Sequence, residues 1–267
     1  MLVNFVITGR LGNAIFRYMA SVIVCLYFNG TYVINNFQKN QLHDASFIKF
    51  MNLLKNNKNI TINHVLNVNN KIDGLNMIDY YQHDEIYKFH KNHIIEFIKS
   101  NPSHYILTDG IEAGDMRCEK FFMIDIINTP QSFNKYYKNV LHVRLEDFVK
   151  HNLYLKSDRI INLLEKNIIT DEICIVCKKP STAFEINYIK IINDYLILKN
   201  IKVHFEHNDV LTDYYIMKEA NTLICSMSTL SWCAAFFSNK IQKCYLPDYE
   251  TKVNSTCKKP INNTELY

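Results

Sequence analysis

The feature that most constrains this chain is the alternation of strand and helix patterns from Val140 to Leu246. Short apolar runs at Val140–Arg144, Ile173–Cys177, Thr222–Cys225 and Lys243–Leu246 read as strands, and Val203 with Phe205 marks another. Between them lie helix-length segments at Asp158–Glu165, Ala183–Leu198, Asp209–Ala220 and Leu230–Ser238. The strands are apolar almost throughout rather than alternating, as expected when both faces of a sheet are buried. Strands separated by helices of this length predict a parallel sheet covered on both sides, and so an α/β fold.

The first half is less regular. Val3–Thr8 reads as a strand, Gly9-Arg10-Leu11-Gly12-Asn13 as a tight turn, and Ala14–Phe28 as a helix. A strand, a glycine turn and a helix also open Rossmann-like folds, although only two of the three glycines of G-x-G-x-x-G are present. Such a turn offers backbone N–H groups to a ligand, and Arg10 and Asn13 can add side-chain hydrogen bonds. Thr31–Ile34 reads as a strand, Phe47–Leu54 as a helix, and the Asn-rich 56–70 as a variable region with a weak strand. Asp84–Ser100 is an amphipathic helix, with Ile86, Phe89, Ile94, Phe97 and Ile98 near one face. Tyr105–Thr108 reads as a strand whose end sets Asp109 and Glu112 in a loop at the sheet edge. Ile127–Tyr137, with Pro130, reads as the connection between two halves. The expected division is 1–135, 136–250 and a C-terminal tail 251–267.

At 267 residues and 48% hydrophobic content, the chain can bury a full core. A net charge of +4 is too small to argue for a nucleic-acid partner. No signal peptide or membrane span is legible. The first strand begins almost at Met1, which leaves no room for an anchor and stem. The eight cysteines are scattered through apolar segments. Cys174 and Cys177 have C-x-x-C spacing, but on a strand their sulfurs point to opposite faces, and no second pair stands at zinc spacing. Reduced core cysteines and a cytoplasmic location are expected.

Two stretches carry chemistry. In Leu141-His142-Val143-Arg144-Leu145-Glu146-Asp147-Phe148, strand alternation puts His142 and Arg144 on one face. At the carboxyl edge of a parallel sheet, where open α/β sheets bind ligands, a guanidinium fork can grip a diphosphate. The same Arg can instead serve a structural ion pair with Glu146 or Asp147. In Ser226-Met227-Ser228-Thr229-Leu230-Ser231, one hydroxyl suffices to cap the helix that follows. The remaining hydroxyls and the helix N-terminus can make an anion cradle.

Together these segments resemble glycosyltransferase family 11, the inverting α-1,2-fucosyltransferases, within the wider group that includes α-1,6- and protein O-fucosyltransferases. Gly9-Arg10-Leu11-Gly12-Asn13-Ala14-Ile15-Phe16 is similar to the family's G-G-L-G-N-Q-L-F. Asp109-Gly110-Ile111-Glu112 stands where the family has G-Y-F-Q, and His142–Phe148 resembles H-I-R-R-G-D-Y. Ser226–Ala235 resembles S-N-S-S-F-S-W-W-G-A. The resemblance implies a GT-B-like architecture: two Rossmann-like domains with parallel sheets and a cleft between them, acceptor on the first and nucleotide sugar on the second. It implies that Arg144 holds the donor diphosphate, with His142, Ser226, Ser228, Thr229 and Ser231 beside it. Arg10, Gly12 and Asn13 then approach from the other domain. No D-x-D occurs, in keeping with a metal-independent transfer and no cofactor beyond the donor, GDP-fucose or another nucleotide-diphosphate sugar.

The chain departs from the family pattern at two neighbouring positions. The second Arg of the phosphate motif is Leu145 and its Gly is Glu146, so one cation is lost and one anion gained. After the next strand, Cys177-Lys178-Lys179 stands where the family often has S-D-D. A UDP-sugar or other donor is therefore open, as is a catalytically silent relative that binds nucleotide or glycan. For the general base of an inverting transfer, Glu112 and then Asp109 are the first candidates. Asp147 fits better as the group that orients Arg144 or His142.

Overall fold

The computed structural model describes residues 2–6, 10–28, 31–35, 74–77, 84–108, 111–112, 115–116, 119–166, 168–248 and 259–267. The expected helix at 47–54 and weak strand at 56–70 lie outside the described residues, as does Asp109. The chain divides into two compact units, Met1–Asn128 and Thr129–Tyr267. The division falls earlier than the 135/136 boundary drawn from composition. Residues 129–135 pack with the second unit: Phe133 sets its ring 5.6 Å from that of Tyr215, and Lys135 Nζ lies 2.8 Å from Glu206.

In the first unit, β1 (Leu2–Val6) lies between β2 (Thr31–Asn35) and β3 (Gly74–Met77), parallel to both. Helix α1 (Leu11–Phe28) begins three residues before the expected start, so Gly12 and Asn13 occupy its first turn. The Arg10 carbonyl accepts from Ala14 N–H at 3.1 Å, which makes Arg10 the N-cap. Glycine's helix penalty is an interior effect and is small where the N–H groups have no intrahelical partner. Most of α1 is buried, and α2 (Asp84–Ser100) packs on it through Tyr87, Ile94 and Ile98.

β4 (Tyr105–Thr108) is found but does not join the parallel sheet; it pairs antiparallel with β7 (Glu119–Phe122). The connection 109–118 is too short for a crossover helix, and holds the small antiparallel pair β5 (Ile111–Glu112) and β6 (Asp115–Met116). Glu112 therefore stands in a hairpin and not at the carboxyl edge of a parallel sheet. A short helix, α3 (Met123–Ile127), closes the unit.

The second unit is built on β8 (Asn139–His142), β9 (Glu172–Val176), β10 (Lys202–Glu206), β11 (Thr222–Ile224), β12 (Lys243–Leu246) and β13 (Thr264–Leu266). They form one six-stranded sheet in the order β10-β9-β8-β11-β12-β13, parallel throughout. Counted from β8, that order is 3-2-1-4-5-6, compatible with a Rossmann-like fold, and it reverses between β8 and β11. The stretch 251–267, set apart as a tail in the sequence, supplies the edge strand β13. Three residues cannot signal a strand by periodicity, but here they complete the ladder beside β12.

Helices α4 (Glu146–Lys150) and α5 (Ser157–Leu164) follow β8, α6 (Ala183–Leu198) follows β9, α7 (Val210–Lys218) follows β10, and α8 (Thr229–Phe237) follows β11. One core joins Leu141, Val143 and Leu145 with Ile173, Ile175 and Cys177, under Ile160 and Leu163 of α5 and Tyr188, Ile192 and Leu196 of α6. Cys174 lies outside that core, on the opposite face from Cys177, as strand alternation requires. The six described cysteines are all buried and in no disulfide; the Cys225 and Cys244 thiols share a hydrogen bond at 3.8 Å. Among the described residues no helix is long and apolar enough to cross a membrane.

Helix α6 tests this packing within one element. Ile192 is fully buried, whereas Ile186 is 56% exposed. Ile192→Ala is expected to lower unfolding stability by about 2–5 kcal/mol, and Ile186→Ala by less than about 0.5 kcal/mol. Urea denaturation of the two variants checks the contrast.

Candidate functional site

The loops after β8 and β11 meet where the strand order reverses, the place at which sheets of this order bind ligands. His142 is the last residue of β8, and its ladder runs one step further, with Val143 N–H donating to the Val176 carbonyl at 2.9 Å. Val143 and Leu145 turn into the core, so His142 and Arg144 share the other face, as alternation predicts. From the other loop, Ser226 Oγ and His142 Nδ1 share a hydrogen bond of 2.8 Å. Both residues are buried. Two motifs 84 residues apart in sequence are thereby joined through their side chains.

Burial pushes the His142 imidazole down to a pKa of about 3, with the nearby Arg144 guanidinium adding to the effect. His142 is thus neutral across the physiological range. One ring nitrogen carries a proton and the other accepts.

Arg144 is braced by residues from the one-turn helix α4. Its Nη2 lies 3.3 Å from both carboxylate oxygens of Asp147, and its guanidinium carbon lies 4.5 Å from the centre of the Phe148 ring. The side chain keeps 16% of its surface exposed and Asp147 keeps 40%. A pair this exposed adds little stability, but it fixes the direction of the guanidinium. Glu146, at the glycine position of the resembled motif, has φ of 31°. That left-handed conformation favours glycine, the residue of the resembled motif at this position.

The hydroxyl run is largely committed to the protein itself. Ser228 caps α8, its Oγ accepting from Leu230 N–H at 3.3 Å. Ser231 Oγ donates to the Ser228 carbonyl at 3.0 Å, and Ser226 is held by His142. The hydroxyls of these three serines therefore arrange the loop. What the loop can offer a ligand is the positive end of α8, with Thr229 half-buried in its first turn.

Several residues of this edge were not legible in the sequence. Tyr267 donates its hydroxyl to the Cys225 carbonyl at 2.7 Å, immediately before Ser226. Arg159 of α5 reaches the carbonyls of Asp248 and Tyr267. Beside β9, His207 Nδ1 lies 2.8 Å from the Cys177 carbonyl and 3.6 Å from its Sγ. Burial pushes the Cys177 thiol up to about 12, aided by the carboxylates of Asp213, Glu185 and Glu146, so it is no nucleophile. Burial also raises the Asp213 carboxyl to about 6, against hydrogen bonds from Asn208. The contacts of Tyr267, Arg159 and His207 join residues 30 to 108 positions apart, and no local pattern announces them.

The remaining predicted site residues belong to the first unit. Arg10 is exposed, Gly12 is buried and Asn13 is half-buried in the first turn of α1. Glu112 lies in β5, and Asp109 is outside the described residues. Among the described residues no group of three or more His, Cys, Asp or Glu side chains could hold a metal ion. No family model, curated protein or solved structure matches the chain.

Because His142 stays neutral in the folded protein down to about pH 3 and protonates near 6.5 when unfolded, the unfolded state binds the extra proton between those values. Stability falls as pH drops through that window. The melting temperature of the native protein should therefore decline more steeply from pH 7 to pH 4.5 than that of His142→Asn, which keeps a partner for Ser226 but does not titrate. Parallel slopes in the two melting series would remove His142 as the source.

Proposed function

We propose that this protein is a glycosyltransferase of GT-B type, transferring a sugar, fucose first, from a nucleotide-diphosphate donor to a glycan hydroxyl with inversion and without a metal. The observation that carries the reading is the meeting of the β8 and β11 loops through His142 and Ser226, with Arg144 directed from the same strand end. A cation braced at the reversal of a 3-2-1-4-5-6 sheet, beside a helix N-terminus, suits a diphosphate. The four motifs that resemble glycosyltransferase family 11 support the sugar and the class.

In this reading the acceptor hydroxyl attacks the anomeric carbon and the bond to the diphosphate breaks. Negative charge grows on the leaving phosphate, and Arg144 with the α8 dipole stabilises it there. Neutral His142 and the serines hold the two loops in register. Asp147 acts through Arg144 as a positioning residue. The proton of the acceptor hydroxyl passes to a carboxylate on the acceptor side, with Glu112 and Asp109 the first candidates. A different donor, such as a UDP-sugar, is the second reading. It is favoured by Leu145, which is buried in the core and supplies no second cation, and by the added Glu146.

Thermal shift with GDP, UDP and their sugars tests the donor class, since a ligand that binds only the folded state raises the melting temperature. Arg144→Ala should cut donor binding or transfer by about two orders of magnitude. Arg144→Lys should recover little, because a point charge lacks the fork. Near-native transfer by Arg144→Ala would overturn the assignment. Transfer should also persist in EDTA, given the lack of a D-x-D sequence and of a clustered donor set among the described residues. Loss on chelation that manganese restores would place the protein in another class.

A further inference from the structure

We propose that Lys178 and Lys179, on the loop between β9 and α6, form the second cationic arm of the diphosphate grip. This rests on the donor reading above and names the residues that replace the cation missing beside Arg144.

A lysine pair on a solvated loop needs no ligand, but three observations set this pair apart. The first is its place. β8 and β9 are parallel and adjacent, with His142 opposite Val176, and Val143 N–H continues the ladder onto the Val176 carbonyl. Residues 177–179 therefore leave the sheet beside residues 143–145, at the same carboxyl edge as Arg144. Both lysines are exposed.

The second is the state of the neighbouring positions. The side chain after Arg144 is Leu145, 6% exposed and packed in the core, so no cation could act from there without disrupting it. Glu146 then adds a negative charge two residues beyond Arg144. A diphosphate at Arg144 alone would meet one guanidinium already paired with Asp147, with Glu146 close by. Two further cations on the adjoining loop restore a positive balance.

The third is what the loop does with its own acid and its own helix end. Glu185 accepts through Oε2 from Ser181 N–H at 2.8 Å, Ser181 Oγ at 3.1 Å and Thr182 N–H at 3.0 Å, while Thr182 Oγ1 accepts from Glu185 N–H at 3.2 Å. This capping box occupies the N-terminus of α6 with the protein's own carboxylate. An anion at this loop must then be held by side chains. Here the acid is locked in the cap and the exposed pair is cationic.

Calorimetric titration of the full chain with GDP, UDP, the matching monophosphates and inorganic pyrophosphate tests the inference. Variants are Lys178→Ala/Lys179→Ala, Lys178→Arg/Lys179→Arg and Arg144→Ala. The double alanine variant should melt as the native protein does, since both side chains are exposed. It should bind the preferred diphosphate and pyrophosphate at least about tenfold more weakly, the loss expected for a charge-assisted contact. Monophosphate affinity should change less than about twofold, and the double arginine variant should restore diphosphate binding. Unchanged diphosphate affinity in the double alanine variant, with binding lost in Arg144→Ala, overturns this inference and leaves the donor reading standing. An equal loss for monophosphates overturns the assignment to the second phosphate. A native protein that binds no diphosphate and no pyrophosphate overturns the donor reading, and the lysine arm with it.

Discussion

The position of β8 between β9 and β11, all three parallel, is the constraint on which the second unit depends. A parallel sheet must be covered on both faces, because each crossover lays a helix on one side or the other. Where successive crossovers change direction, the loops on either side of the reversal diverge and leave a crevice at the carboxyl edge. In this protein that reversal lies between β8 and β11, with Arg144 beyond the end of one strand and the N-terminus of α8 beyond the other. Closing the hydrogen bond between His142 and Ser226 across that reversal is what makes one site of two distant motifs.

Within that hydrogen bond His142 is neutral. A charged imidazole at this depth would need a carboxylate partner, and the nearest strong charge, Arg144, has the same sign. Burial resolves the conflict by holding the ring unprotonated, which leaves the guanidinium as the local cation. Arg144 in turn is directed by groups that follow it within four residues, a carboxylate on one side and an aromatic ring on the other. The site is therefore organised locally around Arg144 and over long range around His142. The two kinds of support differ in origin: one is set by the turn after β8, the other by the order of strands in the sheet.

Much of the second unit was legible because its strands are short, apolar and separated by helix-length segments. Ala183–Leu198 was bounded correctly at both ends, and the structure adds the Thr182–Glu185 capping box at its start. The first unit was less legible. Tyr105–Thr108 has strand character, but nothing in its residues says whether its partner runs parallel or antiparallel, and the length of the connection after it decides the matter. The hydroxyl run was read as having more oxygens than a cap needs. The excess vanishes once Ser226 is matched to His142 and Ser231 to the Ser228 carbonyl, partners that the run itself does not identify.

The α/β class of the second unit, the shared face of His142 and Arg144, and the opposite faces of Cys174 and Cys177 could all be read from the residues. Each follows from a periodicity of two or from segment length, which are properties of the local backbone. That 264–266 completes the sheet, that Tyr267 holds the Cys225 carbonyl, and that Lys178 and Lys179 leave the sheet beside Arg144 became visible with the folded chain. These depend on strand order and register, which are set by how well whole elements pack over the core. A three-residue edge strand or a single long-range hydrogen bond has no local pattern of its own, and gains its position only when the rest of the sheet is already in place.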